Sequence, residues 1–238
     1  IGYPCRMPIR WLPLIAGLVP FVGIHVCYLL SVQSGYLALC IPYIDGCNSI
    51  SATGRTPPAS LLFRAIELPF AGLLLVLWPL TVAWLRSLMP TLRNSTARAV
   101  LVAGTIGAIA LIVYTTFLGT GESFYAFMRR FGIYFYFLGV TLAQLFTSLA
   151  LRRIAKANAE MRLSGISTAM LSFCLAPFAL GLLNLLQKTV LPYETADPLE
   201  NSIEWIAAAM LQFWFIALYV AWRRTDFSLV VTSRSIQQ

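Results

Sequence analysis

Residues 11–33 read "WLPLIAGLVPFVGIHVCYLLSVQ", and this stretch contains no Asp, Glu, Lys or Arg. An α-helix rises about 1.5 Å per residue, so about 20 apolar residues cross the roughly 30 Å hydrocarbon core of a bilayer. The rest of the chain has the same character, because 59% of the 238 residues are hydrophobic and only 11% are charged. Soluble domains carry about 25% charged residues. The stretch therefore predicts a membrane-spanning helix in an integral membrane protein.

Five further stretches are long and apolar enough to cross a bilayer, so the chain is predicted to have six spans. They are residues 61–85, 99–118, 131–151, 164–186 and 203–222. We therefore expect an all-α fold in which residues 1–238 form a single six-helix membrane domain. Arg6 and Arg10 precede the first stretch as in a signal peptide, but the run is long and lacks a small-residue cleavage site before Tyr36. We interpret it as a retained span.

The basic residues are distributed unequally between the two ends of the predicted spans. Twelve of the 17 Lys and Arg residues fall before the first span, in the second and fourth connections, or after the sixth span. Since Lys and Arg in short loops stay on the cytoplasmic side, both termini are predicted to be cytoplasmic, and residues 34–60 form the first external loop. Arginines beside anionic lipid explain the net charge of +8, so no nucleic acid partner is predicted.

The cysteines and the histidine bear on redox and metal chemistry. Cys40 and Cys47 share the external loop, where an oxidising environment favours a disulfide, and the alternative is two free thiols at the membrane surface. Cys27 and Cys174 lie within spans and are interpreted as small apolar core residues. The only histidine, His25, also lies within a span, so neither a metal site nor a cofactor is predicted.

The start of the second span is predicted to attract an anion. Thr56 can cap a helix that begins at Pro57, and the amide groups at a helix N-terminus favour negative charge. Arg55 and Arg64 would add positive charge there. Glu67 follows Arg64 by three residues on one helix face, so the two are predicted to form an ion pair. The alternative to a role in anion binding is that this pair only clamps helices together.

A second arginine pair, Arg129 and Arg130, directly precedes the fourth span on the side that the positive-inside bias disfavours. Together with Arg55, Arg64 and Glu67, this pair is predicted to form an outer-leaflet site for the phosphate of a phospholipid head group. Other polar or small residues within spans are expected to face the bundle and pack helices together. They are Ala99, Ala103, Gly107, Thr141, Gln144, Ser148, Asn184 and Gln212.

No enzyme signature is present in the sequence. It contains no Gly-x-Ser-x-Gly elbow, no His-Glu-x-x-His pair and no Walker loop, so an enzymatic activity stays open and no catalytic residue is assigned. The acidic residues of the fifth connection could as easily form a solvated rim as a functional site. They are Glu194, Asp197, Glu200 and Glu204.

The run "PYIDGCNSISATGRTPPASLLFR", residues 42–64, resembles the first external loop of the DRAM/Frag/Sfk family of six-span membrane proteins. The residues that match the loop motif are Asn48, Ser49, Ile50, Ser51, Thr53, Gly54, Pro57 and Pro58. This chain has Ala-Thr-Gly-Arg at residues 52–55, where the autophagy modulators of the family have an acidic Asp-Thr-Gly-Thr core. The resemblance implies a role at an outer or lumenal leaflet in lipid remodelling, in lipid asymmetry or in regulating lipid-handling partners.

From these observations we expect an integral membrane protein that binds or helps to remodel lipids through its first external loop and the top of span two. The alternative is a non-catalytic accessory subunit that docks a membrane or periplasmic protein partner, and a third possibility is a transporter of lipids or small solutes. Fifteen arginines against two lysines indicate a GC-rich, bacterial genome. The expected location is therefore the bacterial cytoplasmic (inner) membrane.

Overall fold

A computed structural model describes residues 5–7, 9–121, 123–190 and 193–231. The described part of the chain is an α-helical bundle with one pair of short strands and a 3-10 turn at Ala159–Met161. Its helices are α1 (Trp11–Gln33), α2 (Pro42–Asp45), α3 (Ile50–Thr53), α4 (Ala59–Leu88), α5 (Asn94–Phe117), α6 (Ser123–Ala157), α7 (Ser164–Val190) and α8 (Tyr193–Arg224), and its strands are β1 (Cys5–Met7) and β2 (Leu229–Val231).

Six of the described helices, α1 and α4 to α8, are long and apolar enough to cross a membrane. The prediction of an all-α fold with six spans is therefore confirmed. Helix α1 begins and ends at the predicted residues, whereas α6 extends eight residues before its predicted start and six beyond its predicted end. The extensions arise because a helix satisfies its own backbone hydrogen bonds, so it continues into the polar interface after the apolar pattern has stopped.

Both ends of the described chain lie at one end of the bundle, which we call the terminal face (residues 5–10 and 225–231). Strands β1 and β2 pair antiparallel, with Cys5 opposite Val231. Next to them the Trp84 indole N–H donates to the Thr225 hydroxyl oxygen at 2.9 Å, and the Arg10 guanidinium lies 3.8 Å from the Asp226 carboxylate. An even number of spans requires this arrangement, because each span moves the chain to the opposite side.

Large aromatic side chains of α4 and α8 form the centre of the core. Trp78, Trp84, Trp205, Trp214 and Trp222 are each fully buried. The rings of Trp78 and Trp214 lie 6.1 Å apart between centroids. Polar side chains within the spans also face the interior as predicted. Thr141, Gln144, Ser148 and Gln212 are buried, and Cys27 and Cys174 are buried free thiols, whereas the side chain of Asn184 lies outside the described residues.

Helices α5 and α6 approach each other closely along the predicted small-residue face. A Cβ atom added to Gly139 of α6 would lie 2.7 Å from the backbone oxygen of Ala103 and 2.7 Å from the backbone nitrogen of Gly107. These two α5 residues lie one helical turn apart, so they present their backbone to the same stretch of α6. Small residues let backbones pack at this distance within a membrane. The predicted packing role of Ala103 and Gly107 is confirmed.

The helix that contains the second span is predicted from the sequence to begin at Pro57, and this prediction is wrong by two residues. Helix α4 begins at Ala59, its N-cap is Pro58, and no side chain caps it. The peptide bond between Pro57 and Pro58 is cis. The amide groups of Ser60 and Leu61, in the first turn of α4, are already used, because Ser60 N donates to Thr56 O and Leu61 N to Pro58 O. They are therefore not available to an anion as the sequence predicts.

Candidate functional site

The first connection, residues 34–58, folds into a compact cap over the end of the bundle opposite the terminal face, and we call this end the loop face. Cys40 and Cys47 are bonded to each other, with their Cα atoms 6.6 Å apart. The Tyr28 hydroxyl accepts from the backbone N–H of Cys40 at 2.8 Å and lies 3.0 Å from the Ala38 and Cys40 carbonyl oxygens. A phenol of α1 thus anchors the start of the cap to the bundle.

The loop-motif residues build the second half of the cap around helix α3. Ser49 caps α3, because its hydroxyl oxygen accepts from the Ala52 backbone N–H at 3.2 Å. Thr53 is fully buried, and its carbonyl oxygen accepts from the Ser31 hydroxyl of α1 at 2.9 Å. Gly54 leaves room for Phe63, whose ring would lie 2.5 Å from an added Cβ atom.

Helix α8 fixes the cap from its other side. The indole N–H of Trp205 donates to the Asn48 carbonyl oxygen at 2.8 Å, and the Asn201 side-chain amide donates to the Gly46 carbonyl oxygen at 2.8 Å. The Asn48 side-chain amide itself donates to the Ala38 carbonyl oxygen at 3.0 Å. The loop motif therefore has a structural task, which is to hold the cap against α1, α4 and α8.

Both ring nitrogens of His25 have hydrogen-bond partners beneath this cap. Its Nδ1 lies 2.6 Å from the Phe21 carbonyl oxygen, so Nδ1 carries the proton, and Nε2 lies 3.0 Å from the Tyr43 hydroxyl. Burial raises the pKa of Tyr43 above its ordinary value, so this phenol stays protonated and donates to Nε2. The ring also packs against Trp205. His25 is a satisfied interior histidine in this arrangement.

The predicted ion pair of Arg64 with Glu67 is absent from the part of the chain that the structure describes. The Arg64 guanidinium donates to the Leu118 carbonyl oxygen at 2.6 Å, at the end of α5. The last carbonyl groups of a helix lack partners within the helix, so this oxygen is a strong acceptor for a neighbouring helix. Glu67 is buried, with 5% of its surface exposed, and it lines a small inner cavity instead.

A cavity of about 400 Å³ lies at the loop face between α6, α7 and α8, and we call it the main cavity. Its polar lining consists of Ser51, Tyr114, Arg129, Arg130, Tyr134, Thr141, Glu200 and Glu204. Its apolar lining consists of Ile133, Phe137, Leu138, Pro177, Phe178, Gly181, Ile203 and Ala207. Helices α6 and α8 provide most of the lining residues. On each of these helices the lining residues recur at helical spacing, so they lie on a single face.

Charge and apolar surface are separated along the depth of the main cavity. Arg129 and Arg130 lie near the loop-face start of α6, and Thr141, eleven residues after Arg130, marks the deepest α6 position, about 16 Å further along the helix. On α8, Glu200 and Glu204 precede Ala207 in the same direction. The cavity is therefore charged toward the loop face, and its deeper lining on α6 and α8 is uncharged and largely apolar.

The main cavity opens sideways between α6 and α7. Tyr134, Leu138 and Phe178 line it and are nevertheless 63%, 47% and 40% exposed. The half of α7 near the loop face packs loosely, since no described side chain from Leu175 to Leu186 is buried. In a membrane this opening faces the hydrocarbon chains of lipids. An amphipathic molecule can therefore reach the cavity without leaving the bilayer.

A second cavity of about 40 Å³, the inner cavity, adjoins the main cavity toward the centre of the bundle. Tyr114, Ile133, Phe137 and Glu204 line both, and Glu67 and Gln212 line only the inner one. The side-chain carbonyl oxygen of Gln212 and the hydroxyl of Tyr114 are buried and have no hydrogen-bond partner in the part of the chain that the structure describes.

The structure brings together part of the predicted anion site. Arg129 and Arg130 line the main cavity, and Arg55 is exposed but close enough for its charge to act on Tyr114 and Glu204. Arg64 and Glu67 do not line it. Ser51 is the one loop-motif residue on its wall, and it also hydrogen-bonds Ser49 at 3.1 Å.

Of the two interpretations of the acidic fifth connection, Glu200 and Glu204 fit a functional site, because both line the main cavity. The signal in the sequence is their spacing with Ile203 and Ala207, which places all four on one helix face. Glu204 is half-buried, and the backbone N–H groups of Ile50 and Ser51 lie beside its carboxylate. The side chains of Glu194 and Asp197 lie outside the described residues.

The functional groups that line the main cavity are guanidinium, carboxylate and hydroxyl groups beside apolar walls. Among the described residues, no group of three His, Cys, Asp or Glu side chains could hold a metal ion. The arrangement can bind charged groups at one end and hydrocarbon at the other.

No curated protein and no solved structure matches the sequence. Residues 8–225, which include all six apolar helices, match the family described as Frag1/DRAM/Sfk1/Cwh43P N-terminal domain. The match agrees with the resemblance of the first connection and with the six-span architecture. The chain is therefore an integral membrane protein that belongs to the Frag1/DRAM/Sfk1/Cwh43P family.

Proposed function

We propose that this protein binds a phospholipid in the main cavity, with the head group at the loop face and an acyl chain leaving between α6 and α7. The observation that carries the proposal is the separation of charge from apolar surface within one laterally open cavity. The proposal moves the binding surface away from the top of the second span. It retains the loop face as the outer-leaflet side of the membrane.

Arg129 and Arg130 would bind the phosphate. Guanidinium groups match phosphate oxygens with paired hydrogen bonds, and such charge-assisted bonds are roughly twice as strong as neutral ones. Arginines on the side that the insertion bias disfavours are explained if an anionic ligand compensates their charge. Each contact would contribute about 1.5 to 3 kcal/mol, or roughly ten to a hundredfold in affinity.

The acyl chain would lie against Leu138, Phe178 and Gly181. A Cβ atom added to Gly181 meets no atom of the described residues within 4 Å, so the described part of the cavity has free space at this position. A hydrocarbon chain gains no hydrophobic free energy by leaving the bilayer for such a surface, since both are apolar. The acyl chain would therefore set the position of the lipid, and the charged end of the main cavity would supply the affinity.

Filling the cavity tests this proposal. Gly181→Leu should place a side chain in the free space without a clash, and native mass spectrometry should show at least about tenfold less retained phospholipid. Gly72→Leu is the matched control, because Gly72 is an exposed α4 glycine with nothing within 4 Å of an added Cβ atom and does not line the cavity. Equal lipid retention by both variants would contradict the proposal.

A second candidate function is docking of a membrane or periplasmic protein partner. The cap exposes large apolar side chains, and Leu39 and Ile44 are 75% and 76% exposed. Exposed apolar surface of this kind marks interaction sites when it is contiguous. The same mass spectra separate the candidates, because a stoichiometric protein retained by wild type and lost in an Ile44→Ser variant would favour docking.

A further inference from the structure

The charged end of the main cavity contains groups of both signs. Arg129 and Arg130 line it together with Glu200 and Glu204. A purely anionic head group would match the arginines and would bring its charge close to the two carboxylates. We propose that the cavity selects a zwitterionic lipid whose head group carries a phosphate and a primary ammonium group, as phosphoethanolamine lipids do. This inference rests on the proposed phospholipid binding.

Glu204 is the residue that would hold the ammonium group. It lies on the α8 face that lines the cavity, and it is half-buried where an isolated carboxylate is costly. The backbone N–H groups of Ile50 and Ser51 lie beside its carboxylate. A carboxylate has about four lone-pair sites, so it can accept further bonds from an ammonium group.

Tyr114 supplies an independent sign of a missing hydrogen-bonding ligand. Its side chain is 2% exposed, it lines the main cavity, and its hydroxyl has no hydrogen-bond partner among the described residues. Buried hydroxyl groups in folded proteins are nearly always hydrogen-bonded. The Ser51 hydroxyl lines the same cavity. Carboxylate, phenol and serine oxygens together provide one acceptor for each of the three N–H bonds of a primary ammonium group.

Other common head groups fit this set of oxygens less well. A trimethylammonium group, as in phosphocholine lipids, has no N–H bond to donate, and its methyl groups would leave Tyr114 without a partner. A glycerol head group can donate from hydroxyl groups, but it brings no positive charge to Glu204. Arg55 is exposed and does not line the cavity. Its charge acts on Glu204 from outside the cavity, so it does not replace a hydrogen-bond donor inside it.

The experiment is a competition in nanodiscs that contain equal amounts of phosphatidylethanolamine, phosphatidylcholine and phosphatidylglycerol with identical acyl chains. Native mass spectrometry should show wild type retaining phosphatidylethanolamine at least about tenfold over each competitor. Glu204→Gln keeps the shape and removes the charge, so it should abolish the preference over phosphatidylglycerol while lipid is still retained. Glu160→Gln changes an exposed carboxylate outside the cavity and should behave as wild type.

Tyr114→Phe provides a second variant that leaves every charge in place. It should lower the ratio of bound phosphatidylethanolamine to phosphatidylcholine about fivefold and should remain informative if Glu204→Gln does not fold. Equal retention of the three lipids by wild type would overturn the inference, as would a preference unchanged by both variants. A different result would contradict the underlying proposal of phospholipid binding. That result is lipid retention by Gly181→Leu that equals the retention by wild type.

Discussion

Arg64 shows how a charged side chain within a span is satisfied without an ion pair. Glu67 lies three residues further along α4, yet the Arg64 guanidinium donates to the Leu118 carbonyl oxygen, 54 positions away. That carbonyl lies at the end of α5, where the helix provides no partner of its own. A hydrogen bond between a charged group and a free carbonyl contributes more than a neutral one. Arg64 therefore joins α4 to the end of α5.

We predict that Arg64→Ala lowers the stability of the protein by about 1.5 to 3 kcal/mol, because the Leu118 carbonyl loses its donor. Thermal unfolding in detergent measures the change. Arg86→Ala, at the exposed end of α4, is the control and should change stability by no more than about 0.5 kcal/mol.

A double-mutant cycle separates this explanation from the ion pair. Since Arg64 bonds to the end of α5 and forms no ion pair with Glu67 in the described part of the chain, the effects of Arg64→Ala and Glu67→Gln should add to within about 0.5 kcal/mol. A coupling of about 1.5 kcal/mol or more would mean that the two side chains interact after all.

At the scale of elements, the pair α5 and α6 is held at close range by glycines. Gly107 and Gly139 face each other, and an added Cβ atom on either would lie within 3 Å of backbone atoms of the opposite helix. Backbone atoms cannot move aside as a flexible side chain can. The same helix α6 carries Arg129 and Arg130, so its packing against α5 positions one wall of the main cavity.

Gly139→Ala is therefore expected to destabilise the protein by about 1 to 3 kcal/mol, because the two helices must separate to accept the methyl group. Gly72→Ala adds the same methyl group to a helix at an open position and should be neutral or stabilising by up to about 1 kcal/mol. Melting temperatures of the two variants in one detergent provide the comparison. Equal effects would contradict the proposed tight contact.

At the scale of the whole molecule, the bundle has two different ends. The terminal face contains both described chain ends, and the loop face contains the disulfide-bonded cap and the main cavity. The six apolar helices make this arrangement unavoidable, since an even number of spans returns the chain to its starting side. The excess of basic residues at the terminal face predicts that this face is cytoplasmic.

Reporter fusions test this orientation. Alkaline phosphatase, which is active only outside the cytoplasm, should be inactive when joined after Gln238 and active when joined after Gly35 in the first connection. A fluorescent protein that matures only in the cytoplasm should give the opposite pattern at the same two positions. Phosphatase activity after Gln238 would reverse the assigned faces and place the main cavity at the inner leaflet.

The sequence by itself determined the features that depend on local pattern. Apolar length predicts the six spans, small residues at helical spacing predict the α5 face that contacts α6, and Arg129 and Arg130 are recognisable because they precede a span on the disfavoured side. These signals can be read locally, since a bilayer requires every spanning segment to be an apolar helix with its own hydrogen bonds satisfied.

Only the tertiary structure decided which of the polar residues meet. Arg64 and Glu67 are neighbours in the sequence but contact different elements, whereas Ser51, Tyr114 and Glu204 come from three distant segments and line one cavity. The loose packing of the loop-face half of α7, which opens that cavity, has no counterpart in the apolar pattern of the helix. The physical reason is that, in a membrane, apolar residues face lipid and core alike, so hydrophobicity predicts a span but not its neighbours.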